Sequence, residues 1–285
     1  MAGDAEQLRA YIEYFRDIGV HDFYRRGEPV YSTAPEVAEV VPVVQSLPVR
    51  VPVVVEQPRV LSVSNKPDFL EVAVPKPVSF DELAPLPVSR VPAGQKADAL
   101  VAIQKVIGDC TRCPLAYAGR RKIVFGDGDP NARLMFVGEG PGADEDASGI
   151  PFVGKAGQLL NNMIGAMGLK REEVYIANIV KCRPPANRAP EPVEANTCTQ
   201  FLVQQMDVVQ PQMVVALGAT AAMYLLGVKQ SLSSLRGRWH TCRGAKLVVT
   251  YHPAFLLRDP RQKGEAWKDL QMVMAELGLK APAKG

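Results

Sequence analysis

Apolar runs alternate with helix-like segments from residue 99 to the end of the chain. Four short runs predict buried strands, because strands covered on both faces of a parallel sheet are continuously apolar. They lie in ARLMFVGEG, EVYIANIVKC, QMVVALG and KLVVTYHPAFLL. Between them, apolar residues recur at three- and four-residue spacing, which predicts helices. Residues 99–285 are therefore expected to be α/β, with three α/β/α layers around a central four-stranded, mainly parallel sheet.

The pattern differs in the N-terminal third of the chain. In residues 1–27, apolar residues recur at helical spacing and predict an amphipathic helix. This helix either docks on the domain or recruits a protein partner, and the sequence leaves both interpretations open. Residues 28–98 carry many valines and half of the chain's 24 prolines, which block helix interiors. This stretch is predicted to be a disordered linker.

Composition narrows the class of protein. With 285 residues and 47% hydrophobic content, the chain can bury a substantial core. A net charge of +3 argues neither for nor against nucleic acid, because the arrangement of the charges decides that. No apolar run reaches membrane-spanning length and the start is charged and amphipathic, so a cytoplasmic protein with no membrane contact is expected. We also expect a monomer. In a reducing compartment the five cysteines indicate metal ligands or buried thiols.

Polar residues of unusual type follow three of the predicted strands. The first strand ends in Gly-Glu-Gly-Pro-Gly, with Glu139 second in the motif; the second carries Asn178, and His252 follows the fourth. Each alone has an ordinary explanation as a turn or loop residue. The carboxyl ends of parallel strands lie at one edge of a sheet, so together they predict a convergent polar site there.

Four cysteines form a second candidate site. Cys110 and Cys113 make a CxxC pair, whereas Cys182 and Cys198 are single and have fifteen residues between them. Structural zinc often uses two such pairs. Iron–sulfur clusters are held by four thiolates and tolerate scattered ones better. The spacing favours a cluster modestly and leaves zinc open.

Five motifs occur in a fixed order: GEGPG, PFVGKAGQLL, NIVKCRPP, LGATAA and HPAFLLR. In this order they resemble the family 4 uracil-DNA glycosylases, the iron–sulfur branch of the uracil-DNA glycosylase superfamily. The resemblance covers about residues 99–278. It implies a monofunctional enzyme of base excision repair that hydrolyses the N-glycosidic bond of uracil in single- or double-stranded DNA. It also implies a 4Fe–4S cluster on Cys110, Cys113, Cys182 and Cys198, and it leaves Cys242 as a simple thiol.

The resemblance assigns roles to the matching residues. Glu139 is expected to orient or activate water and to offset the positive charge on the sugar. His252 is expected to donate a hydrogen bond to uracil O2 as that oxygen gains charge. Asn178 is expected to pair with uracil O4 and N3, and this amide would reject cytosine, which presents an amino group in place of a carbonyl.

Further residues would shape the base pocket and grip the DNA. Phe152 is expected to stack on uracil, and the backbone around Gly140 and Gly142 to approach it closely. Glu145 would crowd the C5 position and exclude thymine, and Leu256 would fill the vacated space in the duplex. Basic residues near these loops would contact phosphates: Lys155, Lys181, Arg183, Arg188, Arg236, Arg238, Arg258 and Arg261.

Two other functions compete with this interpretation. A related branch crosslinks to uracil-DNA and carries a Lys-Arg-Arg-Ile-His insert after the second strand. Here the loop reads RPPANRAPEP, with no insert and no histidine, so crosslinking is not expected. A non-catalytic iron–sulfur DNA-binding or polymerase-associated module is the other alternative, and the presence of Glu139, Asn178 and His252 argues against it.

Overall fold

The computed structural model describes residues 77–280, so the helix predicted at 1–27 lies outside the described residues. Within this range the strands are β1 Asp127–Gly128, β2 Leu134–Gly138, β3 Tyr175–Asn178, β4 Met213–Leu217, β5 His240–Cys242 and β6 Ala245–Thr250. The helices are α1 Phe80–Leu83, α2 Lys96–Ile107, α3 Ala143–Ser148, α4 Lys155–Ala166, α5 Pro192–Val209, α6 Ala219–Leu226, α7 Leu232–Leu235, α8 Pro253–Arg258 and α9 Lys263–Leu277. Among these helices none is both long and apolar enough to cross a bilayer.

The strands form one mixed sheet with the order β1-β3-β2-β4-β6-β5. The four central strands are parallel and are the four predicted from the apolar runs. Two antiparallel edge strands, β1 and β5, raise the number in the described residues from the predicted four to six. They are only two and three residues long and include polar residues, so they leave no apolar run in the sequence.

Hydrophobic residues pack on both faces of the sheet. Alternate side chains of a strand point to opposite faces, and in β2 Met135 and Val137 join one core cluster while Leu134 and Phe136 join the other. The first cluster includes residues of α2, α5 and α6, and the second includes residues of α4 and α9. This arrangement confirms the predicted three-layer α/β/α architecture.

The topology creates a crevice at the carboxyl end of β2. The chain passes from β2 to β3 on one side and then to β4 on the other, so the strand order reverses at β2. Ligands of open α/β sheets bind at such a switch point. Gly138 pairs with Asn178 across β2 and β3, and Leu217 pairs with Thr250 across β4 and β6, which brings the polar strand ends to one edge.

Ordered structure begins earlier than the boundary predicted at residue 99. Helix α1 begins after Ser79, whose Oγ accepts a hydrogen bond from Glu82 N at 3.3 Å. Phe80 is fully buried, and the Arg243 guanidinium donates to the Phe80 carbonyl at 3.1 Å and to Asp207 at 2.6 Å. Residues 80–83 and 93–98 of the predicted linker are therefore helical, and the buried Phe80 ring and Arg243 guanidinium hold residues 80–83 against the domain. Residues 28–76 of this prediction lie outside the described residues.

Candidate active site and cysteine cavity

A cavity of about 520 Å³ opens at the carboxyl edge of the sheet. Its walls come from the turn after β2, the segment before α4, the end of β3 and the start of α8. The structure brings seven of the residues singled out in the sequence together around it: Glu139, Gly140, Gly142, Glu145, Phe152, Asn178 and His252. A carboxylate, an amide, an imidazole and an aromatic ring therefore share one cavity.

Glu139 directly follows β2 and is partly buried on the cavity wall. Its turn is fixed to the segment after β3, because the Glu139 carbonyl accepts a hydrogen bond from Val180 N at 3.2 Å. A Cβ at Gly140 would lie 2.8 Å from Val180 Cγ2, closer than real Cβ contacts. Glycine is therefore needed at position 140 for packing within the protein itself, and the predicted approach to uracil stays a prediction.

Glu145 joins the two loops that form the cavity wall. One carboxylate oxygen accepts hydrogen bonds from Val153 N and Gly154 N at 2.8 and 2.9 Å. The other accepts from Gly142 N at 3.0 Å, and a Cβ at Gly142 would lie only 2.7 Å from this oxygen. Main-chain donors thus occupy the Glu145 carboxylate, which positions both loops. The predicted exclusion of thymine by this residue stays a prediction.

Asn178 is the last residue of β3, and its side chain is only 1% exposed. Its Oδ1 is buried and accepts no hydrogen bond from any described residue. A Cβ at Gly138 would lie 2.4 Å from this oxygen, so the glycine at the end of β2 provides the space for the amide. A buried acceptor without a partner costs about 1–3 kcal/mol, and such an atom on a cavity wall is typical of a ligand contact.

His252 is the N-cap residue of α8. Its Nδ1 accepts a hydrogen bond from Ala254 N at 3.1 Å, which leaves Nε2 as the protonated nitrogen of the neutral ring. The pKa of His252 is lowered to about 4, first by burial and then by the charge of Arg258, while Glu145 opposes the shift. The imidazole is therefore neutral near pH 7 and has one N–H free to donate.

Phe152 is 5% exposed, and its ring centroid lies 5.6 Å from that of His252 with an angle of 33° between the rings. Its φ of 54° is in the left-handed region, which is strained for a bulky residue and is often found at ligand sites. The Arg171 guanidinium donates to the Phe152 carbonyl at 3.1 Å and also bonds the Pro151 carbonyl. Arg171, which belongs to none of the sequence motifs, thus holds the strained segment in place.

The four candidate metal ligands line a second, smaller cavity: Cys110, Cys113, Cys182 and Cys198. Three protein donors point at their sulfur atoms. Arg112 Nη1 lies 3.5 Å from Cys110 Sγ, Arg120 Nη1 lies 3.4 Å from Cys182 Sγ, and the backbone N of Lys181 lies 3.2 Å from Cys198 Sγ. The sequence segments that carry the cysteines therefore meet around one volume lined with hydrogen-bond donors.

Burial raises the pKa of the thiols of Cys113 and Cys182, and it raises that of Cys198 to about 12. Within residues 77–280, no three His, Cys, Asp or Glu side chains meet closely enough to hold a single metal ion. The fifth cysteine, Cys242, is buried on β5 and does not line the cavity.

Comparisons with known proteins place the chain in a family. Residues 125–271 match the family model described as the uracil DNA glycosylase superfamily. The chain belongs to the uracil DNA glycosylase superfamily. The matched segment contains Glu139, Asn178 and His252, and it begins after Cys110 and Cys113.

Individual relatives of the superfamily cover most of the same domain. A type-4 uracil-DNA glycosylase of Thermotoga maritima is 43% identical over 168 residues, which is 58% of this chain and 86% of that protein. A type-4 uracil-DNA glycosylase of Pyrobaculum aerophilum is 42% identical over 181 residues, 61% of this chain and 92% of that protein. A DNA polymerase of Bacillus phage SP01 is 28% identical over 162 residues, 56% of this chain and 17% of that protein.

The basic residues predicted to contact phosphates differ in their environment. Lys155 and Arg258 are exposed on the wall of the 520 Å³ cavity at the carboxyl edge of the sheet. Arg183 is partly exposed, and its Nε donates to Asn187 Oδ1 at 2.7 Å. Lys181, in contrast, is 1% exposed, and burial lowers its pKa to about 7. The prediction for Lys181 is wrong, because a side chain enclosed by the protein cannot reach a phosphate.

The prediction that Leu256 is the wedge, the residue that fills the space left in the duplex, is also wrong. The segment after His252 is not a loop but the helix α8, and in it Leu256 is 1% exposed. The neighbouring Leu257 is 45% exposed. Successive residues of a helix point about 100° apart, so Leu256 packs inward where Leu257 faces solvent.

Proposed function

We propose that this chain is a monofunctional uracil-DNA glycosylase that hydrolyses the bond between uracil and deoxyribose in DNA and leaves an abasic site. The observation that carries the proposal is the buried Oδ1 of Asn178, which accepts no hydrogen bond within the described residues. Uracil presents an N3–H donor beside the O4 acceptor. An amide whose oxygen accepts from N3–H and whose nitrogen donates to O4 satisfies both groups at once.

The same amide accounts for the rejection of cytosine. Cytosine has an acceptor at N3 and an amino group at position 4, so both hydrogen bonds would be reversed. Each mismatched buried group costs about 1–3 kcal/mol. Type-4 relatives named as uracil-DNA glycosylases support this specificity for the chain.

Cleavage places opposite charges on the two products. As the bond between sugar C1′ and uracil N1 breaks, its electron pair moves to the uracil ring and the sugar becomes cationic. His252 is neutral and donates its Nε2–H to uracil O2, where negative charge grows. Glu139 stabilises the cationic sugar and orients the water that attacks C1′, and the carboxylate accepts the proton that this water loses.

Phe152 stacks on the extruded base. Its ring lies beside the His252 ring, and Arg171 fixes the backbone that carries it. Base–aromatic stacking contributes about 1–3 kcal/mol and does not depend on base identity. Phe152 therefore adds affinity, while Asn178 adds selectivity. Lys155, Arg183 and Arg258 neutralise DNA phosphates beside the cavity, and Leu257 replaces Leu256 as the apolar residue available to fill the duplex.

We further propose that Cys110, Cys113, Cys182 and Cys198 hold a 4Fe–4S cluster. A four-iron cluster binds each thiolate at a different iron, so its ligands surround a volume. The four cysteines line one cavity, and N–H donors to three of their sulfur atoms suit thiolates that carry charge. When bound, the cluster supplies a structural link between the segment before β2 and the loop after β3. Hydrolysis itself needs no electron.

The proposal is tested with protein purified anaerobically and an oligonucleotide that contains one uracil. Incubation followed by alkali is expected to cut the strand at that position, while the same oligonucleotide with cytosine or thymine stays intact. Strand binding without base release would support the non-catalytic module instead, and a band shifted on a denaturing gel would support crosslinking. Iron and sulfide analysis with a visible absorption spectrum tests the cluster, and stoichiometric zinc in its place would refute it.

The oligomeric state, the cellular location and a protein partner are proposed from the sequence. We expect a monomer that acts on DNA in the cytoplasm, and residues 1–27 as a site for a protein partner. Gel filtration with and without uracil-containing DNA tests the monomer. A chain that lacks residues 1–27 is expected to excise uracil at the parental rate while losing its recruitment in cells, and unchanged recruitment would count against the partner.

A further inference from the structure

The burial of Lys181 raises the question of what its side chain does inside the domain. Its Nζ donates to the backbone carbonyl of Asn178 at 3.0 Å and to Gln205 Oε1 at 2.6 Å. Both acceptors are protein groups, and the side chain is 1% exposed. Burying a lysine side chain costs a large desolvation free energy, which these two hydrogen bonds offset. We therefore ask which part of the domain they hold in position.

One of the two bonds acts on the strand end that carries Asn178. The side chain of Lys181 folds back three residues and donates to the carbonyl of Asn178, the last residue of β3. The Oδ1 of Asn178 accepts no hydrogen bond from the described residues that would orient the amide. The direction of the amide therefore depends on the backbone that Lys181 holds and on the space above Gly138.

The other bond anchors Lys181 to the rest of the domain. Gln205, on α5, accepts from Lys181 and donates through Nε2 to Phe125 O and to Tyr175 Oη, both at 3.0 Å. The network joins α5, the segment before β1 and the first residue of β3. Fully satisfied buried networks of this kind are rigid.

The backbone of Lys181 belongs to the cysteine cavity. Its N–H donates to Cys198 Sγ at 3.2 Å, its carbonyl accepts from Val124 N at 2.7 Å, and the residue precedes Cys182. One residue therefore contacts both the strand end beside the active-site cavity and the wall of the cysteine cavity.

We propose that Lys181 is a positioning residue for Asn178, and that through it the packing of the cysteine cavity sets the orientation of the uracil-reading amide. This inference rests on the proposed function. It assigns Lys181 no contact with substrate. Its loss should weaken the recognition of uracil and leave the grip on DNA unchanged.

Lys181→Met removes the Nζ atom that makes both hydrogen bonds while keeping an unbranched side chain that fills most of the same space. The matched control is Lys96→Met, because Lys96 Nζ also donates to a backbone carbonyl, that of Val209 at 2.8 Å, and it does not line the active-site cavity. For Lys181→Met we expect a single-turnover excision rate about tenfold lower and inhibition by free uracil about tenfold weaker. Binding to an oligonucleotide with a stable abasic analogue, and the visible absorption per protein, should stay at the parental values. Lys96→Met should leave all four unchanged.

A double-mutant comparison shows whether Lys181 acts through Asn178. On the background of Asn178→Ala, Lys181→Met should lower the excision rate no further, because residues that act as one unit are not additive. The inference is overturned if the excision rates of the two single variants multiply in the double variant. It is also overturned if Lys181→Met weakens abasic-DNA binding and uracil inhibition equally, because that result indicates general destabilisation. If Lys181→Met does not fold, Lys181→Gln, which is too short to reach both acceptors, should show a smaller selective loss, and unchanged uracil inhibition there also overturns it. A parent enzyme that releases no uracil would refute the proposed function itself, and the inference with it.

Discussion

Replacing Asn178 by alanine separates the recognition of uracil from the stability of the domain. The substitution deletes an amide whose Oδ1 is buried and unpaired within residues 77–280. In the complex proposed above, this deletion leaves the N3–H and O4 of uracil without partners in the cavity. The substitution thus removes one unsatisfied polar group from the free protein and creates two unsatisfied polar groups in the complex.

The magnitude follows from the number of groups affected. Each unpaired buried group costs about 1–3 kcal/mol, so two of them raise the barrier by about 2–6 kcal/mol. At about 1.4 kcal/mol for each factor of ten, the single-turnover rate should fall by roughly 30- to 20,000-fold. The free energy of unfolding should change by no more than about 1 kcal/mol, because the lost packing is offset by removal of the unsatisfied oxygen.

The assay is single-turnover excision from a one-uracil oligonucleotide, accompanied by thermal unfolding. Asn131→Ala is the control, because Asn131 is exposed in the turn before β2 and its contact with Asp129 is made by its backbone N–H. An unchanged excision rate would refute the role of Asn178. A large loss of stability would show that the amide has a structural role instead.

Three further predictions test other parts of the site and fold. Because the pKa of His252 is about 4 in the folded protein and ordinarily about 6.5, its contribution to stability is present above pH 6.5 and is lost as the pH falls toward 4; His252→Gln should flatten this part of the pH profile of thermal unfolding, and an unaltered profile would contradict the shift. Leu257→Ala should lower excision from duplex more than from single-stranded DNA at parental stability, whereas Leu256→Ala should cost about 2–5 kcal/mol of unfolding free energy; the reverse pattern would restore Leu256 as the wedge. Phe80→Ala should lower the unfolding free energy by about 3–5 kcal/mol with no change in excision rate below the transition, and an unchanged melting temperature would show that residues 77–98 do not stabilise the domain.

The sequence was sufficient for the central sheet because each parallel strand is covered on both faces. Continuous apolar runs such as Leu134–Gly138 and Met213–Leu217 are typical of strands buried on both faces. Edge strands pair on one side only and need no such run, so Asp127–Gly128 and His240–Cys242 could not be distinguished from turns. The polar edge of the sheet followed from topology, since parallel strand ends must lie together.

The directions in which individual side chains point were harder to predict from the sequence. Leu256 and Leu257 are adjacent and chemically identical, and only the helix α8 decides which of them is buried. Lys181 lies among basic residues and prolines that indicate an exposed loop. Its burial depends on Gln205 and on the strand end at Asn178, which are distant from any local pattern. Tertiary contacts of this kind leave no periodicity in the sequence.

The dispersed cysteines have a consequence for how the protein matures in the cell. Cys110 and Cys113 precede the whole sheet, Cys182 follows its second long strand, and Cys198 lies within α5, so the cavity closes only after α5 has been synthesised and packed. The donors around that cavity include Arg120 and Lys181, and Lys181 also holds the end of β3. Because the cluster proposed above would link the segments around this cavity, we expect chains made under iron limitation to keep the sheet while residues 182–198 lose their packing. Such chains should be cleaved by proteases between residues 182 and 198, which would make iron supply a determinant of the amount of active protein.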